Sequence, residues 1–588
     1  MALMVPPNTV WKLKPPSPLA SRLALEAGLT PLQAQLLINR GISNPSQAKS
    51  FLCPRLADMA DPMLLKDMDF ALAVILKSVK DREKITIYGD YDADGLTATA
   101  LLLNFFSCLG TETSSYIPNR LKEGYGLDKE ALETIAEDGT GLIITVDCGI
   151  SNSKEIAFAK SLSMNVVVTD HHQVPQGFTA DYPVVNPHRA DCPFPFKDLA
   201  GVGIAFFLAV AVRSALRKEG LFKTVPEPDL KDYLDLVALG TVADRVPLLD
   251  QNRMLVSTGL GIMGKSRWEG IKAMIKVSGI EDTDITSDDL AFRLGPRLNA
   301  PGRMDDPGLC IKILTADDTL LAKNLALRIN DANIKRQGVE RRILARIESK
   351  IKKTEGFDNC RALVMAGEGW HKGVLGIVAS RLVDKYNRPA LVLDVQDGMA
   401  VGSGRSIDGF NLYEALSRLS NLFEKFGGHA HAAGFTLKAA NLETLKNELE
   451  GLAGKTLKQE DLVPVIEMDA EVSLGHITSD MVRQVKTLGP FGEGNAEPVF
   501  LARSLEVAAS RVVGERHLKL RVSQGGTTLE AIGFGLAYKH PLKGKTVSMA
   551  FTPELNRWQG YERIQLRVID LILEDFGGKL DVFGTENK

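Results

Sequence analysis

Short apolar runs and helix-like segments alternate along much of the chain. Runs such as Leu142–Val146 and Val166–Thr169 are continuous and rich in β-branched residues. Runs of this kind are typical of strands that are buried on both faces of a parallel sheet. Because they alternate with helix-like segments such as Thr97–Phe106, we predict a doubly wound α/β domain over residues 56–315.

A long charged stretch follows, from Asp317 to Lys353, with no proline and a single glycine. Its apolar residues recur at every fourth position, at Leu321, Leu325 and Ile329 and again at Val339, Ile343, Ile347 and Ile351. This spacing places them on one face of a helix. We therefore predict a connecting helix over residues 316–356 that joins two α/β lobes.

The opposite face of that helix is basic. It carries Lys335, Arg336, Arg341, Arg342, Arg346, Lys350, Lys352 and Lys353. Such a face is either simply solvated or follows a phosphate backbone.

Residues 357–458 again show an α/β pattern. Leu363–Ala366 and Ala390–Leu393 are predicted strands, Gly373–Asp384 is a predicted helix, and a glycine-rich loop is expected around Arg405. The pattern predicts a second α/β lobe.

From residue 459 to 575 the pattern changes to short alternating strands, such as Leu518–Val522 and Ile564–Val568, with a turn at Gln524–Gly526. This pattern suggests a small β-barrel. In residues 1–55 we predict a proline-rich lead and a small helical unit from Ser21 to Leu52. Residues 576–588 are a predicted tail.

Composition adds little to this outline. A chain of 588 residues is too long for a single core, and its net charge of −3 gives no overall basic signature. A local basic stripe for nucleic acid remains compatible with that charge. The prolines of the first 20 residues argue against a signal peptide, and no apolar run approaches the ~20 residues that span a bilayer. Six cysteines without a CxxC pair favour reduced thiols in a cytoplasm.

Candidate chemistry is concentrated where the predicted strands end. Asp90, Asp92 and Asp94 follow the apolar run that contains Ile85 and Ile87. Asp147 follows Leu142–Val146, and Asp170-His171-His172 follows Val166–Thr169. Asp244 closes a further apolar stretch, Leu234–Val242. In open parallel sheets, ligands bind beyond the carboxyl ends of the strands. So many carboxylates at one rim would repel one another without a divalent cation, and the set is large enough for two.

Each of these residues has an ordinary alternative interpretation. An acid at a strand end is commonly a turn former or a helix N-cap. His171-His172 would suit a surface loop, and Asp244-Arg245 a local ion pair. An EF-hand is disfavoured because its closing glutamate is missing. Three strand-like runs that deliver ligand-type residues at the same end favour the metal site.

Several motifs in this chain resemble those of the DHH phosphoesterases. They are Asp92-Ala93-Asp94, Val146-Asp147-Cys148-Gly149 and Asp170-His171-His172. Further motifs resemble the branch of bacterial single-strand-specific 5′→3′ DNA exonucleases: Asn186-Pro187-His188, Leu239–Asp244, Arg297–Arg303, Gly402–Ser406 and Gly427-Gly428-His429. The resemblance extends over nearly the whole chain.

The resemblance implies a fold and a metal centre. The fold has a DHH phosphoesterase domain and a DHH-associated domain, two α/β lobes joined by a long helix, followed by an OB-type barrel. The cofactor is a pair of Mn²⁺ or Mg²⁺ ions, with the imidazole favouring Mn²⁺. Asp147 bridges both ions, Asp92 binds mainly one, and Asp94, His171 and Asp244 bind the other.

Three neighbouring residues have less direct roles. Many family members have a histidine where this chain has Tyr88, and in this branch Asp90 takes the place of that ligand. We expect His172 to contact the phosphate or orient the attacking water. Asp170 would hold an imidazole in one tautomer.

Substrate-binding residues form a second group: Arg120, His188, Arg297, Arg303, Ser403, Arg405, Gly428 and His429. Arginine suits phosphate, and glycine lets backbone amides approach an anion. The arginines are equally compatible with interdomain ion pairs. The resemblance implies that some of the group grip a 5′-terminal phosphate. The barrel aromatics Phe534, Tyr538, Trp558 and Tyr561 suit base stacking, although such residues are more often core.

Together these expectations describe a two-metal-dependent exonuclease that degrades single-stranded DNA from its 5′ end to 5′-mononucleotides in recombination and repair. The alternatives are a DHH phosphodiesterase for small molecules or short oligonucleotides and an inactive single-strand-binding scaffold. By resemblance, the expected partners are single-strand-binding protein and a DNA helicase. We expect a cytoplasmic monomer with no membrane association.

Overall fold

The computed structural model describes residues 9–120, 123–281, 284–304, 306–353, 356–558 and 561–574. The predicted tail, 576–588, lies outside the described residues. Two compact units are present: one contains Cys53–Gln337 and Gly489–Ala496, and the other contains the described parts of the remaining chain. We call them the first and second unit.

The N-terminal residues belong to the second unit. They form strand β1 (Val10–Leu13) and helices α1 (Ala20–Ala27), α2 (Pro31–Ile38) and α3 (Pro45–Leu52). The helical unit is as predicted. The lead is not merely extended, because β1 pairs in parallel with a strand at Val465–Met468.

The first unit is an α/β domain. Its first half contains α4 (Met68–Asp81), β2 (Lys84–Gly89), α5 (Ala93–Cys108), β3 (Thr113–Tyr116), α6 (Lys129–Glu137), β4 (Thr140–Val146), α7 (Ser153–Ser161), β5 (Asn165–Thr169) and β6 (Val184–Val185). Its second half contains α8 (Gly201–Glu219), α9 (Leu234–Asp244), α10 (Asp250–Met263), α11 (Glu269–Val277), α12 (Ser287–Asp289), α13 (Gly295–Met304) and α14 (Gly308–Leu314).

The five strands of this domain form a parallel sheet in the order β3-β2-β4-β5-β6. Alternate residues of β4 enter different cores: Ile144 packs in the larger cluster with α5 and α8, and Ile143 packs with α6 and α7. The sheet is therefore buried on both faces, which explains the continuous apolar runs.

The sequence pattern left the apolar stretch that Asp244 closes without an assigned element. The stretch is helix α9. Its residues from Leu234 to Val242 are all buried, so the polar stripe that would have indicated a helix is missing.

Helix α15 (Thr319–Ile351) confirms the long connecting helix. Its two faces are less regular than the spacing indicated. Leu321, on the predicted apolar face, is half exposed, whereas Arg336, on the predicted basic face, is buried and donates a hydrogen bond to Asn333.

The second α/β domain follows in the second unit. Its elements are β7 (Leu363–Gly367), α16 (Leu375–Tyr386), β8 (Ala390–Gln396), β9 (Met399–Arg405), α17 (Leu412–Arg418), β10 (Phe423–His429), β11 (Ala432–Lys438) and α18 (Leu442–Thr456). The sheet order is β10-β11-β9-β8-β7. The glycine-rich segment before Arg405 is therefore strand β9 and not the predicted loop. Gly402 suits a strand here because a side chain would collide with the Phe435 ring, 2.4 Å from the Cβ position.

The C-terminal elements are β12 (Val465–Met468), β13 (Ala470–Glu471), α19 (Ser479–Lys486), β14 (Phe500–Val513), β15 (His517–Gln524), β16 (Thr527–Gly533), β17 (Thr546–Trp558) and β18 (Tyr561–Leu573). Pairing of β14 with β17 closes five of these strands into a barrel. The predicted turn at Gly525-Gly526 is confirmed, but most barrel strands are longer than predicted. No helix among the described residues is long and apolar enough to cross a membrane.

Candidate metal centre

The acidic residues of the first unit meet at the carboxyl ends of β2, β4 and β5. Three overlapping sets of ligand atoms lie there, each within 4.8 Å of one another. The sets are Asp90, Asp92 and Asp147; Asp94, His171 and Asp244; and Asp147, His171 and His172. The strand ends and the end of α9 thus bring together every residue predicted as a metal ligand.

Asp92 and Asp94 are positioned by the start of α5. Asp92 is the N-cap, and its Oδ1 accepts hydrogen bonds from the backbone amides of Asp94 and Gly95 at 3.0 and 3.2 Å. The ordinary N-cap interpretation is therefore correct for Asp92. It does not exclude metal binding, because a carboxylate has a second oxygen.

The Asp94 carboxylate is fully buried against the start of α8. Its two oxygens accept hydrogen bonds from the backbone amides of Gly201 and Val202, at 2.6 and 2.9 Å. The N-terminus of a helix stabilises negative charge at this place. Gly240 of α9 lies against the same carboxylate, since a Cβ there would be 2.9 Å from Asp94 Oδ1 and 2.2 Å from Thr97 Oγ1.

Asp147 occupies the turn directly after β4. Its backbone has a φ of 61°, in the left-handed region that few residues other than glycine adopt, and its amide donates to Thr169 O. Backbone conformations of this kind cluster at functional sites. The turn directs Asp147 Oδ1 to 3.0 Å from His171 Nε2, which is also 3.7 Å from Asp244 Oδ2.

These groups fit a bound cation. Asp90 Oδ1, Asp147 Oδ1 and His171 Nε2 are buried and make no hydrogen bond among the described residues, since the 3.0 Å approach of Asp147 Oδ1 to His171 Nε2 lacks hydrogen-bond geometry. Leaving such atoms unpaired is costly, and carboxylates with an imidazole are the donors that Mn²⁺ and Mg²⁺ sites use. The pKa values of the Asp90, Asp94 and Asp147 carboxyls are raised well above the ordinary value for aspartate. Burial is the largest cause, and the neighbouring carboxylates add to it. Burial also raises the pKa of Asp244.

His172 is held differently from His171. Its Nδ1 lies 2.8 Å from Asp170 Oδ1 and 3.1 Å from the hydroxyl of Tyr125. Burial lowers the pKa of His172, but the hydrogen bond and charge of Asp170 outweigh it and raise the pKa to about 9. Asp170, in turn, accepts from the Ile150 amide at 2.9 Å, and despite burial its pKa is lowered by His172. This geometry suits the predicted role of Asp170 in orienting an imidazole.

Three further residues support the centre through hydrogen bonds, and sequence reasoning assigned no definite role to any of them. Tyr125 donates to Asp147 O at 3.2 Å, and its hydroxyl lies 3.1 Å from His172 Nδ1. Asn186 donates to His172 O at 2.9 Å, and Asn299 Oδ1 accepts from the Ala93 amide at 2.7 Å. For Asn186, the sequence left a loop role and an active-site role open. Asn299 lies within the Arg297–Arg303 motif and Tyr125 lies shortly after Arg120, but the sequence does not indicate which atoms their side chains contact.

The predicted substrate residues of the first unit are dispersed around the centre. The Arg120 guanidinium lies 5.2 Å from the centroid of the Tyr91 ring, beside Asp90. His188 lies near the centre through Asn186 Oδ1, which accepts from its amide at 2.8 Å. Burial raises the pKa of the Tyr91 hydroxyl, and the charges of Arg120 and Arg303 oppose this shift.

Arg297 is engaged within the fold. It donates to Asn330 Oδ1 at 3.1 Å and to Arg293 O at 2.7 Å. These bonds give Arg297 a structural role in joining α13 to α15.

The remaining substrate residues gather at one end of the second unit's sheet. Arg405 and His429 both pair with Ala432, from the two sides of β11. Gly428 pairs with Ala433, and Ser403 lies two residues before Arg405 on β9. At Gly376, in the first turn of α16, a Cβ would be 3.1 Å from both Ser403 Oγ and Arg405 Nη2. Hydroxyl, guanidinium and helix N-terminus thus converge, which is an arrangement suited to an anion.

Comparison with known proteins agrees with this organisation. Family models match for the DHH family N-terminal domain at residues 84–241, the DHHA1 domain at 359–455 and the RecJ OB domain at 468–570. The single-stranded-DNA-specific exonuclease RecJ of Bacillus subtilis is 37% identical over 573 residues, covering 96% of this chain and 71% of the relative. That of Escherichia coli is 35% identical over 564 residues, covering 93% and 96%.

Solved structures give the same result. RecJ from Thermus thermophilus in complex with Mn²⁺ matches with a TM-score of 0.82 and 29% identity, covering 97% of this chain and 80% of the other. The same protein in complex with Mg²⁺ matches with a TM-score of 0.76 and 28% identity, covering 96% and 78%. By its sequence along almost its whole length and by its three matched domains, this chain belongs to the RecJ family of the DHH phosphoesterases.

Proposed function

We propose that this protein is a divalent-metal-dependent exonuclease that degrades single-stranded DNA from the 5′ end and releases 5′-mononucleotides. The observation that carries the proposal is the cluster of buried carboxylate and imidazole atoms that lack partners among the described residues, in a chain of the RecJ family.

Asp90, Asp92 and Asp147 would hold one cation, and Asp94, His171 and Asp244 the other, with Asp147 shared. Bound divalent cations supply Lewis acidity toward a phosphodiester and make water a nucleophile near neutral pH. The protein would hold the ligand atoms at fixed positions. The first amides of α8 bond Asp94, the turn after β4 orients Asp147, and Asp244 is the last residue of α9.

His172 is suited to contact the phosphate of the substrate. Asp170 and Tyr125 hold its Nδ1, so the ring is oriented before a substrate arrives. Arg120 and Arg303, near Tyr91, would add positive charge for neighbouring phosphates.

Selection of the 5′ end would depend on the second unit. Ser403, Arg405 and His429, together with the start of α16, form a group of donors suited to a terminal phosphate. A terminal phosphate carries more negative charge than an internal one, which gives such a group a reason to prefer chain ends.

The alternative enzymes fit less well. A phosphodiesterase for small molecules or short oligonucleotides needs only the two α/β domains, whereas this chain has a closed barrel that matches the RecJ OB domain. An inactive scaffold is disfavoured because Asp92, Asp94, Asp147, His171 and Asp244 are all present and brought together.

Action in recombination and repair, with single-strand-binding protein and a DNA helicase as partners, stays a prediction. So do the monomeric state and the cytoplasmic location. The six cysteines are all free thiols.

Cleavage of a 5′-phosphorylated single strand of about 30 nucleotides, in parallel with a dinucleotide and a blunt duplex, tests the proposal. We expect Mn²⁺-dependent release of 5′-mononucleotides from the single strand alone. Asp147→Asn should lower kcat by about 10³-fold at any Mn²⁺ concentration, because it removes several kcal/mol of charge stabilisation, while strand binding persists. Preferential hydrolysis of the dinucleotide, or turnover by the Asp147→Asn variant, would contradict the proposal.

A further inference from the structure

A short segment from the C-terminal half of the chain is built into the first unit. Gly489–Ala496 belongs to the same compact unit as the metal centre, whereas the residues on either side of it belong to the second unit. We call this the strap segment. In sequence it lies between α19 and the first long barrel strand, β14.

The strap segment is a defined turn. The amides of Gly492 and Asn495 donate to each other's carbonyls at 3.0 and 3.1 Å, and the fully buried Asn495 side chain donates to Pro490 O at 2.8 Å. This network fixes the segment in one conformation, so it can act as a rigid surface.

This turn packs on the loop that directly follows Asp244. The Leu248 amide donates to Glu493 O at 2.8 Å. A Cβ at Gly492 would lie 2.7 Å from Leu248 Cδ1, so a larger residue there would displace the buried Leu248 side chain or the turn. Asp244 ends α9 and the loop begins at Arg245, whose φ is 66°. The contact at Leu248 is thus four residues along the chain from Asp244.

Arg253 of α10 binds the strap segment through its buried guanidinium. Arg253 is only 2% exposed, and its guanidinium donates to Gly489 O at 2.6 Å and to Pro490 O at 3.4 Å. A buried guanidinium bonded to carbonyls is costly to disrupt, because its partners would be left unsatisfied.

Asn252, the neighbour of Arg253, is fully buried and donates to Pro247 O at 3.0 Å and to Asp198 O at 2.6 Å. Pro247 lies in the loop after Asp244. Asp198 lies three residues before Gly201, whose amide holds Asp94. Helix α10 therefore contacts the segment before Gly201 and the loop after Asp244 through Asn252, and the strap segment through Arg253.

We propose that the strap segment and Arg253 position Asp244, and thereby set the affinity of the cation site formed by Asp94, His171 and Asp244. This inference rests on the proposed metal-dependent function. Residues that orient metal ligands typically change metal affinity by about 10- to 100-fold when they are altered. The Asp90, Asp92 and Asp147 site has no contact with the strap segment among the hydrogen bonds of the described residues, so it should be unaffected.

Mn²⁺ titration of the full-length protein, followed by the electron paramagnetic resonance signal of free Mn²⁺, tests the inference. The variants are Arg253→Met, which removes both guanidinium bonds, and Gly492→Val, which pushes the turn away from Leu248. Gly261→Ala in the same helix α10 is the matched control, because nothing lies within 4 Å of its Cβ position and the contacts of the strap segment stay unchanged. Circular dichroism establishes that each variant is folded.

We expect one of two Mn²⁺ sites to weaken by about 10- to 100-fold in both variants, with the other site and the control unchanged. Cleavage should recover at high Mn²⁺ with an unaltered KM for DNA. Wild-type affinity at both sites in a folded variant, or equal loss at both sites, would overturn the inference. If Arg253→Met does not fold, Gly492→Val decides alone. A wild-type protein that binds no Mn²⁺ would overturn the proposed function itself, and this inference with it.

Discussion

At the scale of single residues, the metal centre is a set of charges that the fold alone does not neutralise. Asp94 and Asp147 are buried beside other carboxylates, and both effects raise their pKa. In the metal-free protein, the folded state therefore retains protons that the unfolded chain has already released. A bound cation offsets this repulsion, but protons compete with it for the same oxygens.

This competition gives the stabilisation by metal a defined dependence on pH. Because the carboxyl pKa values are raised by folding, the free energy of unfolding of the metal-free protein falls as pH rises above their ordinary range. The increase in Tm on adding Mn²⁺ should therefore be larger at mildly alkaline than at mildly acidic pH. Differential scanning fluorimetry measures it, with Asp147→Asn as a variant in which the increase is small throughout. A constant increase, or one that is larger in acid, would show that these carboxylates are not the ligands.

Gly240 provides a second test, of packing rather than charge. Gly240→Ala places a methyl group against Asp94 Oδ1 and Thr97 Oγ1, so Asp94 must move from its bonds with α8. We expect Mn²⁺ affinity to fall by at least about 10-fold. Gly261→Ala in α10 is the control, since nothing lies within 4 Å of its Cβ position, and alanine there should stabilise the helix by roughly 1 kcal/mol. Equal metal affinities in the two variants would contradict the close approach.

The candidate ligands could be recognised from the sequence because each follows an apolar run. Three residues that support the candidate ligands could not be recognised in this way. Tyr125, Asn186 and Asn299 act through hydrogen bonds to backbone atoms or ring nitrogens distant in sequence, and no periodicity encodes such contacts.

At the scale of elements, burial decided which patterns were informative. The strands β2, β4 and β5 were predictable since β-branched runs of this length rarely form helices. Helix α9 was not, because it is buried all round and its apolar run looks the same as that of a central strand. Strand β9 was hidden by Gly402 and Gly404, which are present for the close packing of Phe435 and Leu391 and not for a turn.

The start of α16 makes a prediction that belongs to this scale. Arg405→Ala should weaken binding of a 5′-phosphorylated strand by about 10- to 100-fold, as expected for the loss of hydrogen bonds to a charged group. Binding of the same strand with a 5′-hydroxyl should hardly change. Fluorescence anisotropy in Ca²⁺ measures the affinity for both strands. Arg418→Ala, on the exposed surface of α17, is the control. An unchanged preference for the phosphate would remove Arg405 from the pocket.

At the scale of the whole molecule, the order of the domains was predictable and the long-range pairings were not. The proline-rich lead forms β1 only because β12, more than 450 residues later, offers it an edge. The short strap segment in the first unit likewise has no signal in its own sequence. Such contacts are properties of the assembled chain.

The barrel aromatics differ from the expectation that they are core. Phe534, Tyr538 and Tyr561 are 39%, 58% and 72% exposed, whereas the Trp558 side chain lies outside the described part of the chain. Exposed rings on an OB-type barrel suit base stacking.

Removing these rings should affect long substrates only. Phe534→Ala with Tyr538→Ala should weaken binding of a strand of about 30 nucleotides by roughly 1–3 kcal/mol for each base that loses a stacking partner. Cleavage of very short oligonucleotides should be unaffected, because they do not extend to the barrel. Leu25→Ala, which removes an exposed apolar side chain of α1, is the control. Equal losses on short and long strands would contradict a role in holding the strand.

The central claim is that acids and an imidazole from three strand ends and one helix share two cations. Anomalous diffraction at the manganese edge, from crystals of the full-length protein grown with Mn²⁺, tests it most directly. We expect two manganese peaks roughly 3.5–4 Å apart, one beside Asp90 and Asp92 and one beside Asp94 and Asp244, with Asp147 between them. A single peak, or peaks that Asp147 and His171 do not contact, would contradict it.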